Sequence, residues 1–172
     1  AVAVVDESAV SALTGRPQVG DSVAVHGTWA RIAESSWYRP GDATHNHIKH
    51  TCTPGLYADD DYFRWSGAYS DVERAQASAD LRGWLSLREI ALDTAYGHSH
   101  GGNVLLGTEL SEPGQLLVLL HTPVLPRSDD DWARVRGTWE RVLVMRSRAD
   151  PVVLADGLRT GSTGQPDRNN LD

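Results

Sequence analysis

The chain has 172 residues, 40% of them hydrophobic and 23% charged, the proportions of an ordinary globular domain with enough apolar surface for its own core. Its net charge of −7 offers phosphates no basic field, which excludes nucleic acid as an expected partner. One cysteine, Cys52, permits no intrachain disulfide, and no apolar run approaches the length of a transmembrane segment.

A single domain over residues 1–172 is expected. Residues 1–20 open on Ala1-Val2-Ala3-Val4-Val5, an edge strand or linker, and end in the turn signals Thr14-Gly15-Arg16-Pro17 and Gly20-Asp21. The start at Ala1, without methionine or a signal-peptide pattern, reads as processing or excision from something larger. Val23–Val25 is the first strand. Residues 29–56 show little periodicity and read as a short helix or loop at the rim of a site. Tyr62–Trp65 reads as a short strand. Residues 71–90 form the clearest helix, with Asp71 as N-cap and an apolar stripe of Val72, Ala75, Ala79, Leu81 and Leu85.

Residues 90–96 are expected to be a strand because they lead into the glycine-rich turn at 97–102, although Asp93 weakens the pattern. Asn103–Glu109 reads as a helix that stops near Pro113-Gly114. The unbroken apolar run to Leu120 from Gln115 suits a buried parallel strand. Residues 128–139 are polar with two tryptophans, a rim helix or loop, and Arg141–Met145 reads as another buried strand. From Gly157 to Asp172 the composition is Gly, Ser, Thr, Pro, Asn and Asp, an irregular tail. Strands alternating with helices predict an α/β fold, a doubly wound parallel sheet with helices on both faces. Function then sits at the carboxyl ends of the strands.

One stretch organises the rest: Gly97-His98-Ser99-His100-Gly101-Gly102, leading into Asn103-Val104-Leu105-Leu106. Gly-x-Ser-x-Gly before an apolar run predicts a strand turning sharply into a helix with serine at the apex. Glycines two residues either side remove the side chains that would collide there. The serine hydroxyl stands clear, and the N–H of His100 points into the same space, as an acyl-transfer nucleophile requires. Upstream, Val23–Val25 runs into His26-Gly27-Thr28-Trp29. A glycine after an early strand lets the N–H of Thr28 or Trp29 approach a substrate oxygen, giving the second oxyanion donor.

With these two motifs, their order and their gap, the chain resembles the lipase- and esterase-like serine hydrolases of the α/β-hydrolase fold over roughly residues 20 to 155. Phe63-Arg64-Trp65-Ser66-Gly67 is similar to the Trp-Ser-Gly segment found between those motifs in one bacterial branch. The resemblance implies Ser99 as nucleophile, an acid after a later strand and then a histidine. Asp150, directly after Arg141–Met145 and its short extension, is the expected acid, with Asp156 as alternative. No histidine comes after His121. The base is therefore expected beyond Asp172 in the native protein. Otherwise it is recruited from elsewhere, with His121 and His26 as the candidates, or the site binds without catalysis. His26 is expected to be structural, its ring bonded to backbone, and the rings of His98 and His100 to point away from Ser99.

His45-x-His47-x-x-His50-x-Cys52 carries metal-ligating residue types, but the spacing matches no established zinc pattern, and a polar loop is expected instead. No metal or cofactor is expected. Six tryptophans, at 29, 37, 65, 84, 132 and 139, fit either an apolar substrate pocket or simple core packing. The expected function is hydrolysis of a small-molecule or lipid carboxylic ester. The alternatives are a lipid-directed effector or toxin domain and a non-catalytic binding module of the same fold.

Overall fold

In a computed structural model of the protein, residues 21–28, 30 and 36–145 are described. Four strands, β1 (Ser22–Val25), β2 (Thr94–His98), β3 (Gly114–Leu120) and β4 (Trp139–Met145), alternate with helices. Helices α1 (Ala43–Thr51) and α2 (Asp71–Leu87) lie between β1 and β2, α3 (His100–Gly107) between β2 and β3, and α4 (Asp129–Thr138) between β3 and β4. All strand pairs are parallel, in the order β1-β2-β3-β4. One row of the register runs Val25, Gly97, Leu119, Val144 across the sheet.

Strands added in one direction by crossovers of one hand put every crossover helix on one face. The packing agrees. Val23, Val25, Ala95, Leu117 and Leu119 share a core with Ala77, Leu81 and Leu85 of α2, Val104–Leu106 of α3, and Trp132 and Val135 of α4. On the opposite face Tyr96 and Val118 pack with Leu56, and Ile48 of α1 and Trp37 close over them. The fold is thus a small α/β structure with helices on both faces. Among the described residues the strand order runs without reversal.

Several boundaries differ from the sequence reading, each for a physical reason. Residues 62–65 form no strand; the alternation that suggested one arises because Phe63 and Trp65 both turn into the core. β2 begins at Thr94, yet Asp93 already donates its N–H to Asp21 and accepts from Gln115. β4 is half-solvated, with Leu143 49% and Met145 50% exposed, because it is last in the described strand order. Residues 43–51 are helical and not a loop, capped by Asp42, whose side chain accepts the Thr44 N–H.

The N-cap of α2 is Ser70, whose hydroxyl accepts from the Glu73 N–H, while Asp71 pairs with Arg74. The expected apolar stripe of α2 is rotated. Val72 is 78% exposed, Ala75 and Ala79 face outward, and the buried face is Arg74, Ala77, Ser78, Leu81 and Leu85. Small residues win there because α2 lies close against α3: the Ser78 hydroxyl donates to the Val104 carbonyl at 2.8 Å. A Cβ on Gly107 would stand 2.8 Å from that hydroxyl. No described helix is long and apolar enough to cross a membrane.

Candidate active site

β2 ends at His98 and α3 starts at His100, so Ser99 alone makes the turn. It adopts φ 51°, ψ −133°, a conformation that L-residues reach only under strain and that clusters at functional sites. Three glycines make the turn sterically feasible. A Cβ on Gly97 would fall 2.6 Å from the Gly102 Cα. One on Gly101 would fall 2.3 Å from the His26 carbonyl oxygen, and one on Gly102 would overlap the Thr122 hydroxyl at 2.1 Å. These distances are far below van der Waals contact, so the strand-to-helix turn and its seating on β1 and β3 depend on bare backbone. Ser99 donates its N–H to the Leu120 carbonyl at 2.9 Å and accepts from the Gly102 N–H at 3.0 Å. Its side chain makes no capping bond to α3.

The loop after β1 comes directly against this turn. A Cβ on Gly27 would lie 2.7 Å from the Ser99 Cβ and 2.9 Å from the His98 carbonyl oxygen. Thr28 follows Gly27 in this loop, and its hydroxyl is buried with no hydrogen-bond partner among the described residues. A helix leaves the N–H groups of its first turn outside its own ladder, and in α3 that turn begins at His100. Gly27 and His100, one from each of the two motifs, thus both adjoin Ser99. Trp29, Asp150 and Asp156 lie outside the described residues.

The histidines divide by environment. His26 is 1% exposed. Its Nδ1 donates to the Gly27 carbonyl at 2.9 Å and its Nε2 accepts the Trp65 N–H at 3.5 Å. The ring stacks on Trp65 with centroids 5.7 Å apart, and the Trp65 indole N–H donates to the His26 carbonyl at 2.8 Å. With both ring nitrogens engaged, His26 holds the loop. This also gives the Trp-Ser-Gly segment a physical task, since Trp65 is the clamp. His121 follows β3 directly with φ 48°, and its ring lies 6.4 Å from that of His98. The other side of His98 meets Trp37 edge-on at 6.1 Å. The ring of His100 is buried against Tyr69 at 5.1 Å and against the Asn103 amide at 3.2 Å.

Asn103, absent from the expected site, ties the elbow helix down. Its amide N–H₂ donates to the Pro123 carbonyl at 3.0 Å. Its oxygen accepts from the Leu125 N–H and the Arg127 guanidinium, each at 3.2 Å. The available signal was one amide inside an otherwise apolar helical run. The histidine-cysteine segment splits: His45 turns inward and bonds the Tyr57 carbonyl at 3.0 Å, while His47, His50 and Cys52 are exposed. Burial holds the His45 pKa below its ordinary value. Among the described residues no three His, Cys, Asp or Glu side chains are placed to hold a metal ion.

Fold and site together define a small parallel α/β protein with a strained serine at the carboxyl end of an inner strand. No family model, curated protein or solved structure matches the chain.

Proposed function

We propose that the protein is a serine hydrolase of carboxylic esters with an α/β-hydrolase-like site, and that Ser99 is its nucleophile. The observation that carries this reading is the Ser99 backbone at φ 51°, ψ −133° with Gly27 packed against it. Strain of this kind persists only where the surroundings enforce it. Here it turns Ser99 between the end of β2 and the first turn of α3.

In the proposed reaction the Ser99 Oγ forms a bond to the ester carbonyl carbon as a histidine takes its proton. The carbonyl oxygen becomes an oxyanion, held by the His100 N–H and by that of Thr28 or Trp29. Collapse breaks the carbonyl–alkoxy bond, and the alcohol leaves with the proton from the histidine. Water repeats the sequence on the acyl-serine and frees the acid. His121 is the candidate base among the described residues, and Asp150 is the acid the resemblance implies. The test is release of p-nitrophenol from p-nitrophenyl butyrate. Turnover lost in Ser99→Ala with the fold intact supports the reading; turnover equal in wild type and Ser99→Ala overturns it.

A further inference from the structure

Helix α1 is held against the sheet by a histidine. Of its nine residues only His45 is buried, at 1% exposed, and Ile48 packs half-buried on the cluster of Leu56, Tyr96 and Val118. Lys49 adds a bond from its Nζ to the Leu56 carbonyl at 2.9 Å. So short a helix has little stability of its own in water, and docking keeps it formed. The turn before it is tied to it. Asp42 caps α1 and also accepts the Ser36 hydroxyl at 2.6 Å, and the Asp42 N–H donates to the Arg39 carbonyl. That turn carries Trp37, which packs on the same cluster and meets His98 edge-on.

His45 can make this attachment in one protonation state only. Its Nε2 lies 3.0 Å from the Tyr57 carbonyl, which can only accept, so Nε2 carries the proton and Nδ1 is bare. Nδ1 is buried with no hydrogen-bond partner among the described residues. A second proton there would place an N–H and a positive charge out of water without an acceptor, which is unfavourable. The neighbouring groups do not compensate. Asp42 and Lys49, beside it on the same segment, act with opposite signs. Tyr57 offers its carbonyl, while its hydroxyl donates to Asp61 at 2.5 Å. From the sheet, the Tyr96 hydroxyl is shared with Thr53 at 2.5 Å, and burial keeps it protonated. Burial accordingly lowers the His45 pKa; Lys49 adds to the fall, and the Tyr57 bond and Asp42 oppose it.

We propose that α1 is an acid-released cover: protonation of His45 undocks α1 and the Trp37 turn from the sheet and bares the apolar face of Leu56, Tyr96 and Val118 beside the elbow. Docking is at full strength above the ordinary histidine pKa of 6.5 and weakens as pH falls from there toward the lowered value. The device stands whether or not Ser99 is a nucleophile.

Two measurements on the full chain test this. The first is hydrogen exchange followed by mass spectrometry at about pH 7.5 and about pH 5, expressed as protection factors so that the intrinsic pH dependence of exchange is removed. Wild type loses protection over residues 43–51 by about 5-fold or more, while α2 and β3 keep theirs. His45→Gln retains an amide donor for the Tyr57 carbonyl and cannot titrate, so its residues 43–51 show no such loss; circular dichroism checks its fold. Unchanged protection of 43–51 in wild type, an equal loss in every element, or the same loss in folded His45→Gln overturns the proposal. The second needs no variant: NMR titration of the His45 ring in wild type. A midpoint below 6.5 is expected, and a midpoint at or above 6.5 overturns the device.

Discussion

Replacing Ser99 by glycine is expected to stabilise the protein while abolishing its proposed reaction. Ser99 is held at φ 51°, ψ −133°, and backbone in such sparsely populated regions costs about 1–3 kcal/mol for a residue with a Cβ. Glycine removes that cost, and its freer unfolded chain takes back about 0.4–1 kcal/mol. The Ser99 side chain makes no capping bond to α3, so little stabilising interaction is lost with the hydroxyl. The balance is about 1 kcal/mol in favour of Ser99→Gly, or roughly 2–4 °C in Tm for a chain of this size. Ser99→Ala is the control, since it removes the same hydroxyl and keeps the Cβ. Thermal unfolding monitored by circular dichroism should rank Ser99→Gly above both wild type and Ser99→Ala. Ser99→Gly melting at or below Ser99→Ala would refute the claim that the turn is strained at this residue.

Gly27→Ala should displace the loop after β1, because its Cβ would lie 2.7 Å from that of Ser99 and 2.9 Å from the His98 carbonyl; a loss of about 1–3 kcal/mol in chemical denaturation is expected, with ester turnover falling at least as far as the folded fraction. Gly83 is exposed in the interior of α2 with nothing within 4 Å of an added Cβ, so Gly83→Ala should raise stability by about 0.5–1 kcal/mol without changing turnover. Burial raises the Asp93 pKa above its ordinary 3.8; the Thr94 hydroxyl bond opposes this, and Asp21 and Glu140 add to it. The native state therefore keeps this proton longer than the unfolded chain, and stability falls as pH rises from 3.8 through the raised value. Asp93→Asn cannot lose that proton, so melting profiles from about pH 3 to about pH 7 should show the variant gaining on wild type as pH rises; a constant difference would contradict the assignment.

The elbow was legible in the sequence because its chemistry is local. Gly97, Ser99, Gly101 and Gly102 lie within six residues, and the clashes that demand glycine arise within the turn or with the strands on either side. The link between His26-Gly27 and Ser99 was legible only through resemblance, since no local pattern states that two segments 72 residues apart in sequence touch. The inward face of α2 was misread for a different reason. Hydrophobicity picks Val72, Ala75 and Ala79, but close approach to α3 selects small size and buries Ser78 and Arg74 instead. The burial of Arg74 carries no sequence signal, because arginine is ordinarily a surface residue and its burial is decided by tertiary packing. The exposed side of β4 was equally hidden, since Leu143 and Met145 read as core until the structure placed β4 last among the described strands.

The most direct test of the central claim is intact-mass analysis after treating folded protein with a fluorophosphonate. A nucleophilic Ser99 predicts one covalent adduct, located on Ser99 by peptide mapping and absent from Ser99→Ala, because the turn presents an activated hydroxyl. Folded protein that takes up no label, or that is labelled equally in Ser99→Ala, would contradict it.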